Sequence, residues 1–168
     1  MTPAELLTDC LERVRESVHD VLDGLSPDDL ARRPTPDANP IGWLVWHLSR
    51  VQDDHVADVA GTEQAWTADG FVDRFDLPYD TADHGYGHTS EMVGAFRADA
   101  RLLAEYHDAV HSRTVGYLAG LRPDDLDRVV DDRWDPPVTL GVRLVSVVND
   151  DTQHVGQAAY VKGLIRGT

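Results

Sequence analysis

The chain has 168 residues, with 15 Lys+Arg against 30 Asp+Glu and a formal net charge of −15. That length fits one domain around a single core, and 42% hydrophobic residues are enough to fill it. The acidic surplus repels phosphate backbones and anionic bilayers, which excludes nucleic acid and membrane surfaces as natural partners and otherwise reads as ordinary solubility.

Cys10 is the single cysteine, so a disulfide framework and a cysteine-rich zinc site are excluded, and any thiol chemistry draws its thiol from a cofactor or substrate. Met1-Thr2-Pro3-Ala4-Glu5 lacks the basic and apolar regions of a signal peptide. No apolar run approaches the ~20 residues of a membrane helix, and the expected location is the cytoplasm.

Leu6, Leu7, Cys10, Leu11, Val14, Val18, Val21 and Leu22 carry helical spacing and predict a first helix over residues 3–23, started by Thr2-Pro3 and ended by Gly24. Ser26-Pro27-Asp28-Asp29 opens a short helical turn that ends near Arg33-Pro34, and the stretch 34–40 is a loop. A second long helix runs from about Pro40 to Val59, with Ile41, Leu44, Val45, Leu48, Val51 and Val56 as apolar positions and Gly61 as its stop. Residues 62–88 show no period and read as a long irregular excursion, a feature that is often functional. Thr89 or Ser90 then caps a helical stretch, in one piece or two, over about 91–119. A last helix covers about Leu140–Ile165, after the break at Trp134-Asp135-Pro136-Pro137. No segment alternates with a two-residue period. The expected fold is all-α: one domain over 1–168, an antiparallel four-helix bundle with a long irregular excursion between helices two and three.

A weak repeat runs through this pattern. Gly24-Leu25-Ser26-Pro27-Asp28-Asp29-Leu30 resembles Gly120-Leu121-Arg122-Pro123-Asp124-Asp125-Leu126, and Gly42 with His55 echoes Gly141 with His154 at the same separation. Two readings stand: two helical hairpins related by a pseudo-two-fold, or two helix ends that use the same turn chemistry.

Asp150 and His154 are four apart on the last helix, so their side chains share a face. A carboxylate and an imidazole so placed grip a metal ion when another element supplies a third ligand. His47, in the apolar stretch Trp46-His47-Leu48, is the candidate. On spacing alone the bland alternative weighs more: a hydrogen-bonded core histidine and an ordinary surface pair. Other histidines compete. His107 and His111 also have the four-residue spacing, but the polar residues around them read as a solvated face. His84 and His88 lie in a Gly-rich loop, where the helical argument fails. His47 and His55 are eight apart, about 12 Å of helical rise, too far to share an ion. His19 has no partner in sight.

The frame Ile41-Gly42-Trp43-Leu44-Val45-Trp46-His47-Leu48, together with Asp150-x3-His154-x-Gly156-Gln157, resembles the DinB/YfiT-like metalloenzyme superfamily. The resemblance spans nearly the whole chain in length and helix order. It implies a four-helix bundle with a histidine on helix two and a His-x3-His-x-Gly-Gln/Glu element on the last long helix. Asp150 stands where the first histidine of that element is usual. A carboxylate there is similar to the branch of mycothiol-dependent maleylpyruvate isomerase, whose site is His, Glu and His; Asp is one methylene shorter than Glu. Gly85-Tyr86-Gly87-His88-Thr89 and Trp134–Pro137 also resemble an actinobacterial subgroup.

The resemblance implies a divalent ion held by His47, Asp150 and His154, zinc first, with nickel, manganese or iron as alternatives. It also implies a mycothiol-type thiol, S-transfer to a small electrophile or thiol-assisted isomerisation, and a homodimer. The DinB name implies no DNA binding. No protein nucleophile is required, so no catalytic residue is named. Gln157 lies three after His154 and can hydrogen-bond near the site. Arg143, seven before Asp150, meets an anionic substrate or forms a surface ion pair. His88 and Tyr86 reach over the pocket, or cap and pack. Two other function classes stand beside this one: metal-assisted hydrolysis with water as the nucleophile, and a non-enzymatic metal-binding stress-response protein.

Overall fold

Local chemistry delimits each helix. The structure, a computed structural model, describes residues 1–167. Helix α1 spans Pro3–Leu22; the Thr2 hydroxyl accepts from the Glu5 N–H and the Glu5 carboxylate accepts from the Thr2 N–H. Ser26 and Asp29 close the same reciprocal cap on α2, Pro27–Ala31. Helix α3, Ile41–Ala60, ends at Gly61 in the left-handed region. It is buried on nearly every side, including Ser49, Arg50, Gln52 and Asp53.

The excursion causes that burial. It holds two short helices, α4 (Ala65–Ala68) and α5 (Phe71–Phe75), which correct the expectation of an irregular segment throughout. Asp53 pins them to α3 by accepting from the Ala65 and Trp66 N–H groups, each at 2.9 Å. Arg50, itself fully buried, donates to the Asp83 carbonyl and to Gln64 Oε1. The helical stretch after the excursion falls into two pieces, α6 (Ser90–Ala95) and α7 (Ala100–Ala119), because Asp99 starts a new helix by capping the Leu102 N–H.

A 3₁₀ turn, Pro123–Asp127, leads into β1 (Val129–Asp131), which pairs antiparallel with β2 (Val138–Thr139). No strand was expected; three- and two-residue strands are too short to show an alternation. Helix α8, Leu140–Arg166, is capped by Thr139.

Among these elements α1 packs on α7 and α8, and α3 packs on the same two. The pairs α1–α7 and α3–α8 run antiparallel: His19 meets Asp108 while Glu12 meets His111, and His47 lies by His154 while His55 lies by Arg143. The pair α3–α7 runs parallel, since Ser49 meets His107 and Gln52 meets Thr114. So does α1–α8, where Lys162 reaches the Asp20 carbonyl and Arg166 the Asp23 carbonyl. The excursion is the reason. It carries the chain back along the molecule, so α7 repeats the direction of α3, which corrects the expected antiparallel order of the long helices.

The sequence repeat has a tertiary counterpart. A Cβ on Gly42 would stand 3.1 Å from the Leu30 carbonyl, and one on Gly141 would stand 3.3 Å from the Leu126 carbonyl. Each Pro-Asp-Asp turn thus rests its leucine carbonyl on the first turn of the next long helix. That shared contact supports the hairpin-repeat reading. Among the described residues no helix is long and apolar enough to cross a membrane.

Candidate metal centre

His47 faces the furrow between α3 and α8. Trp43, one turn earlier, stacks on its ring with centroids 4.7 Å apart and planes 9° from parallel. His47 Nδ1 lies 2.5 Å from the His84 carbonyl. A carbonyl only accepts, so Nδ1 carries the hydrogen and Nε2 keeps its lone pair for a ligand role.

This contact needs Gly85. Its φ is +95°, and a Cβ there would stand 2.8 Å from His47 Nδ1, 3.0 Å from Trp43 and 3.1 Å from Trp46. The loop is tied in turn. Asp83 accepts from the Gly85 N–H through Oδ1 and from His88 Nε2 through Oδ2, and His88 Nδ1 accepts from Trp43 Nε1. Asp83, His88 and Trp43 therefore form a brace behind the ligand face of His47.

On α8, His154 Nδ1 donates to the Asp150 carbonyl at 2.8 Å, which again leaves Nε2 with its lone pair. Asp150 Oδ2 is buried without a hydrogen-bond partner, although it lies 3.2 Å from His154 Nδ1. The His47 and His154 rings are 4.6 Å apart at 76°. One donor atom from each of His47, Asp150 and His154 lies within 4.8 Å of the other two, the single such group among the described residues. With metal–ligand distances of about 2.0–2.2 Å, binding would ask the three side chains to draw in.

The electrostatics suit a cation. Burial lowers the His47 imidazole to about 4, so it is neutral near pH 7. Burial also works against charge on His154, but the Asp150 carboxylate outweighs it and holds His154 above its ordinary value. A divalent cation at Nε2 would compete with protonation there. An unpartnered buried carboxylate oxygen and two imidazoles with oriented lone pairs fit such an ion. Next to them Asp151 is fully buried in the core stripe of Val147 and Val155; burial raises its carboxyl well above the usual range.

A family model of mycothiol S-transferases matches residues 6–167. The chain belongs to the mycothiol S-transferase family. Among solved structures it is similar to a conserved protein of Enterococcus faecalis, at 30% identity and a TM-score of 0.91, with 100% of this chain and 99% of that chain covered. No curated protein matches it.

Within this mycothiol S-transferase family chain the remaining expected residues separate. Gln157 is exposed one turn beyond His154, and its amide makes no hydrogen bond among the described residues. Arg143 is the ion-pair alternative: it bridges Asp131 on β1 and His55 on α3, each at 3.3 Å. His88 is buried behind Trp43 and does not reach over the furrow, while Tyr86 stands in solvent. His107 and His111 are buried, which corrects the solvated reading. His107 donates to Ser49, whose own hydroxyl donates to the Val45 carbonyl, and His111 meets Glu12 on α1. His19 pairs with Asp108. Sequence reasoning missed Trp43, Asp83 and the His84 carbonyl as parts of the site. Trp43, within the frame around His47, and the neighbouring Gly85, in its Gly-x-Gly loop, are the parts that left a visible trace.

Proposed function

We propose that the protein is a divalent-metal-dependent S-transferase that joins a mycothiol-type thiol to a small electrophile, with His47, Asp150 and His154 as the metal ligands. One observation carries the reading: donors from two helices converge around the orphaned Asp150 Oδ2, in a chain of the mycothiol S-transferase family. Two imidazoles and a carboxylate suit zinc. We further read the four long helices as the four-helix bundle of the DinB/YfiT-like superfamily, forming one domain of a cytoplasmic homodimer. The exposed Val142 and Val145 on α8 offer an apolar contact for that dimer.

A divalent cation bound here lowers the pKa of a thiol that meets it. The chain supplies position. The His84 carbonyl and the Trp43 ring fix His47, and the Asp150 carbonyl aligns His154. In the reaction the thiol gives up its proton to solvent and a sulfur–carbon bond forms. The bond to the leaving group breaks, and that group departs with the electron pair. In an isomerisation there is no leaving group: the thiolate adds to a carbon–carbon double bond, the electron pair moves onto the neighbouring carbon, and re-forming the double bond expels the thiolate, which takes its proton back. Cys10, on α1, has no part in this balance.

The deciding experiment follows conjugation of mycothiol to a test electrophile by the metal-loaded protein. Wild type accelerates it and His154→Ala does not. Equal rates for the two, with metal content verified, overturn the reading. Turnover of an ester without any thiol favours hydrolysis instead.

A further inference from the structure

The furrow between α3 and α8 changes character on either side of the two histidines. In one direction lie Asp54, His55 and Arg143, all polar. In the other, one turn from His47 and one turn from His154, Leu44 and Gln157 open a groove of about 340 Å³. Its remaining walls are the loop 34–39 and Tyr160, Val161 and Leu164 of α8. No charged side chain lines it, in a protein with 27% charged residues. Arg32 and Arg33 line the next depression, past Leu164. Another cavity, about 290 Å³ between α3 and α7, includes Val56, Ala57 and Val110 and lies on the opposite flank of α3 from His47.

We propose that the groove holds the electrophile, and that this electrophile is uncharged with an apolar body, alkyl or aryl. The proposal rests on the S-transferase reading. Three observations carry it. The groove begins one turn from the candidate metal centre on both helices, Leu44 from His47 and Gln157 from His154. Tyr160 and Leu164 leave large apolar surface in water, 70% and 41% exposed, which a bound apolar body covers. Gln157 stands at the junction with a free amide, ready for one polar atom beside the reacting carbon. A mostly apolar groove with a few polar groups, here Thr35, Asn39 and Gln157, is the ordinary build of a small-molecule site. A polyhydroxylated thiol finds few hydrogen-bond partners there and is directed to the polar side.

The test uses the full-length, metal-loaded protein and n-alkyl iodides from ethyl to hexyl, each rate divided by its uncatalysed rate with the same thiol. Wild type gains tenfold or more in kcat/KM along the series, through KM. Tyr160→Ala and Leu164→Asp, both at exposed positions, flatten the gain while the metal content stays unchanged. A readout without activity is the fluorescence of N-phenyl-1-naphthylamine, an uncharged apolar probe, which binds wild type and is lost in Leu164→Asp. A flat alkyl series with transfer intact overturns the proposal and leaves the transferase reading standing. Probe binding that Leu164→Asp does not change also overturns it. Loss of the probe as protein concentration rises assigns the groove to a second copy of the chain and likewise overturns the proposal. Failure of transfer with every electrophile overturns the transferase reading, and the electrophile falls with it even where the probe binds.

Discussion

His107–His111 on α7 and Asp150–His154 on α8 are built alike. Each places two metal-capable side chains one turn apart on a long helix, and each packs against α3. Only one of them meets a third donor. Opposite Asp150 and His154 stands His47, held with its Nε2 lone pair outward. Opposite His107 stands Ser49, and opposite His111 stands Glu12 of α1, so each ring spends one nitrogen on a separate partner and the two join no three-donor group among the described residues. Spacing on one helix aims donors at a face. The element across from that face decides whether they converge on an ion or act as structure.

Removing a ligand breaks this contrast most sharply. His154→Ala is expected to lower metal affinity by more than ~100-fold, beyond the ~10–100-fold typical of losing an outer partner. His107→Ala leaves the metal content unchanged. Competition with a chelator, read by metal analysis, measures both. Equal loss in the two variants would mean that the pairs do not differ as described.

The second consequence is in stability. Burial lowers His107 to about 3 from an ordinary 6.5. Between those values the unfolded chain takes up a proton that the folded chain does not. Stability is therefore complete above pH 6.5 and falls as pH drops toward 3. By pH 4.5 the loss attributable to this group is roughly 3 kcal/mol. Denaturant midpoints at pH 7.5 and 4.5 should differ less in His107→Gln than in wild type; an unchanged difference would place the acid sensitivity elsewhere.

Gly85→Ala sharpens the comparison from the other side, because it touches the brace rather than a ligand. A methyl group collides with His47 Nδ1 and Trp43 at a positive φ. The expected costs are about 1–3 kcal/mol of stability and about tenfold in metal affinity. Thermal unfolding of metal-free protein separates the first from the second. The smallest effect belongs to Arg143→Gln. Its partners Asp131 and His55 lie outside the three-donor group, so metal affinity stays within about twofold and stability falls by no more than about 1 kcal/mol. A tenfold drop in affinity would give Arg143 a place at the centre after all.

Much of the fold is legible in the residues. Periodicity and caps place α1, α3 and α8 to within a few residues, because local chemistry sets helix ends. Asp150 and His154 are legible as a pair because four residues make one turn. Periodicity leaves open whether 91–119 is one helix or two, and the Asp99 cap decides it. The polar neighbours of His107 and His111 mislead. Asp108 is polar because it binds Arg15 and His19 across α1, and Glu105 because it pairs with Arg74 and Arg101, so the polarity around the histidines marks packing partners rather than open water. The brace on His47 is illegible for a different reason. His84 is 37 residues from its partner, and a backbone carbonyl leaves no mark on residue choice.

By itself the sequence determined the helices, the shared face of Asp150 and His154, and the resemblance that pointed to His47. These are local or pattern properties, carried by residues a turn apart. The tertiary structure alone decided that α3 and α7 run parallel, that the loop at Gly85 orients His47, that His107 and His111 are spent on structure, and that the furrow is polar on one side of the site and apolar on the other. Each of these depends on which surfaces the excursion brings together. That outcome is set by packing between distant segments, and no spacing along the chain encodes it.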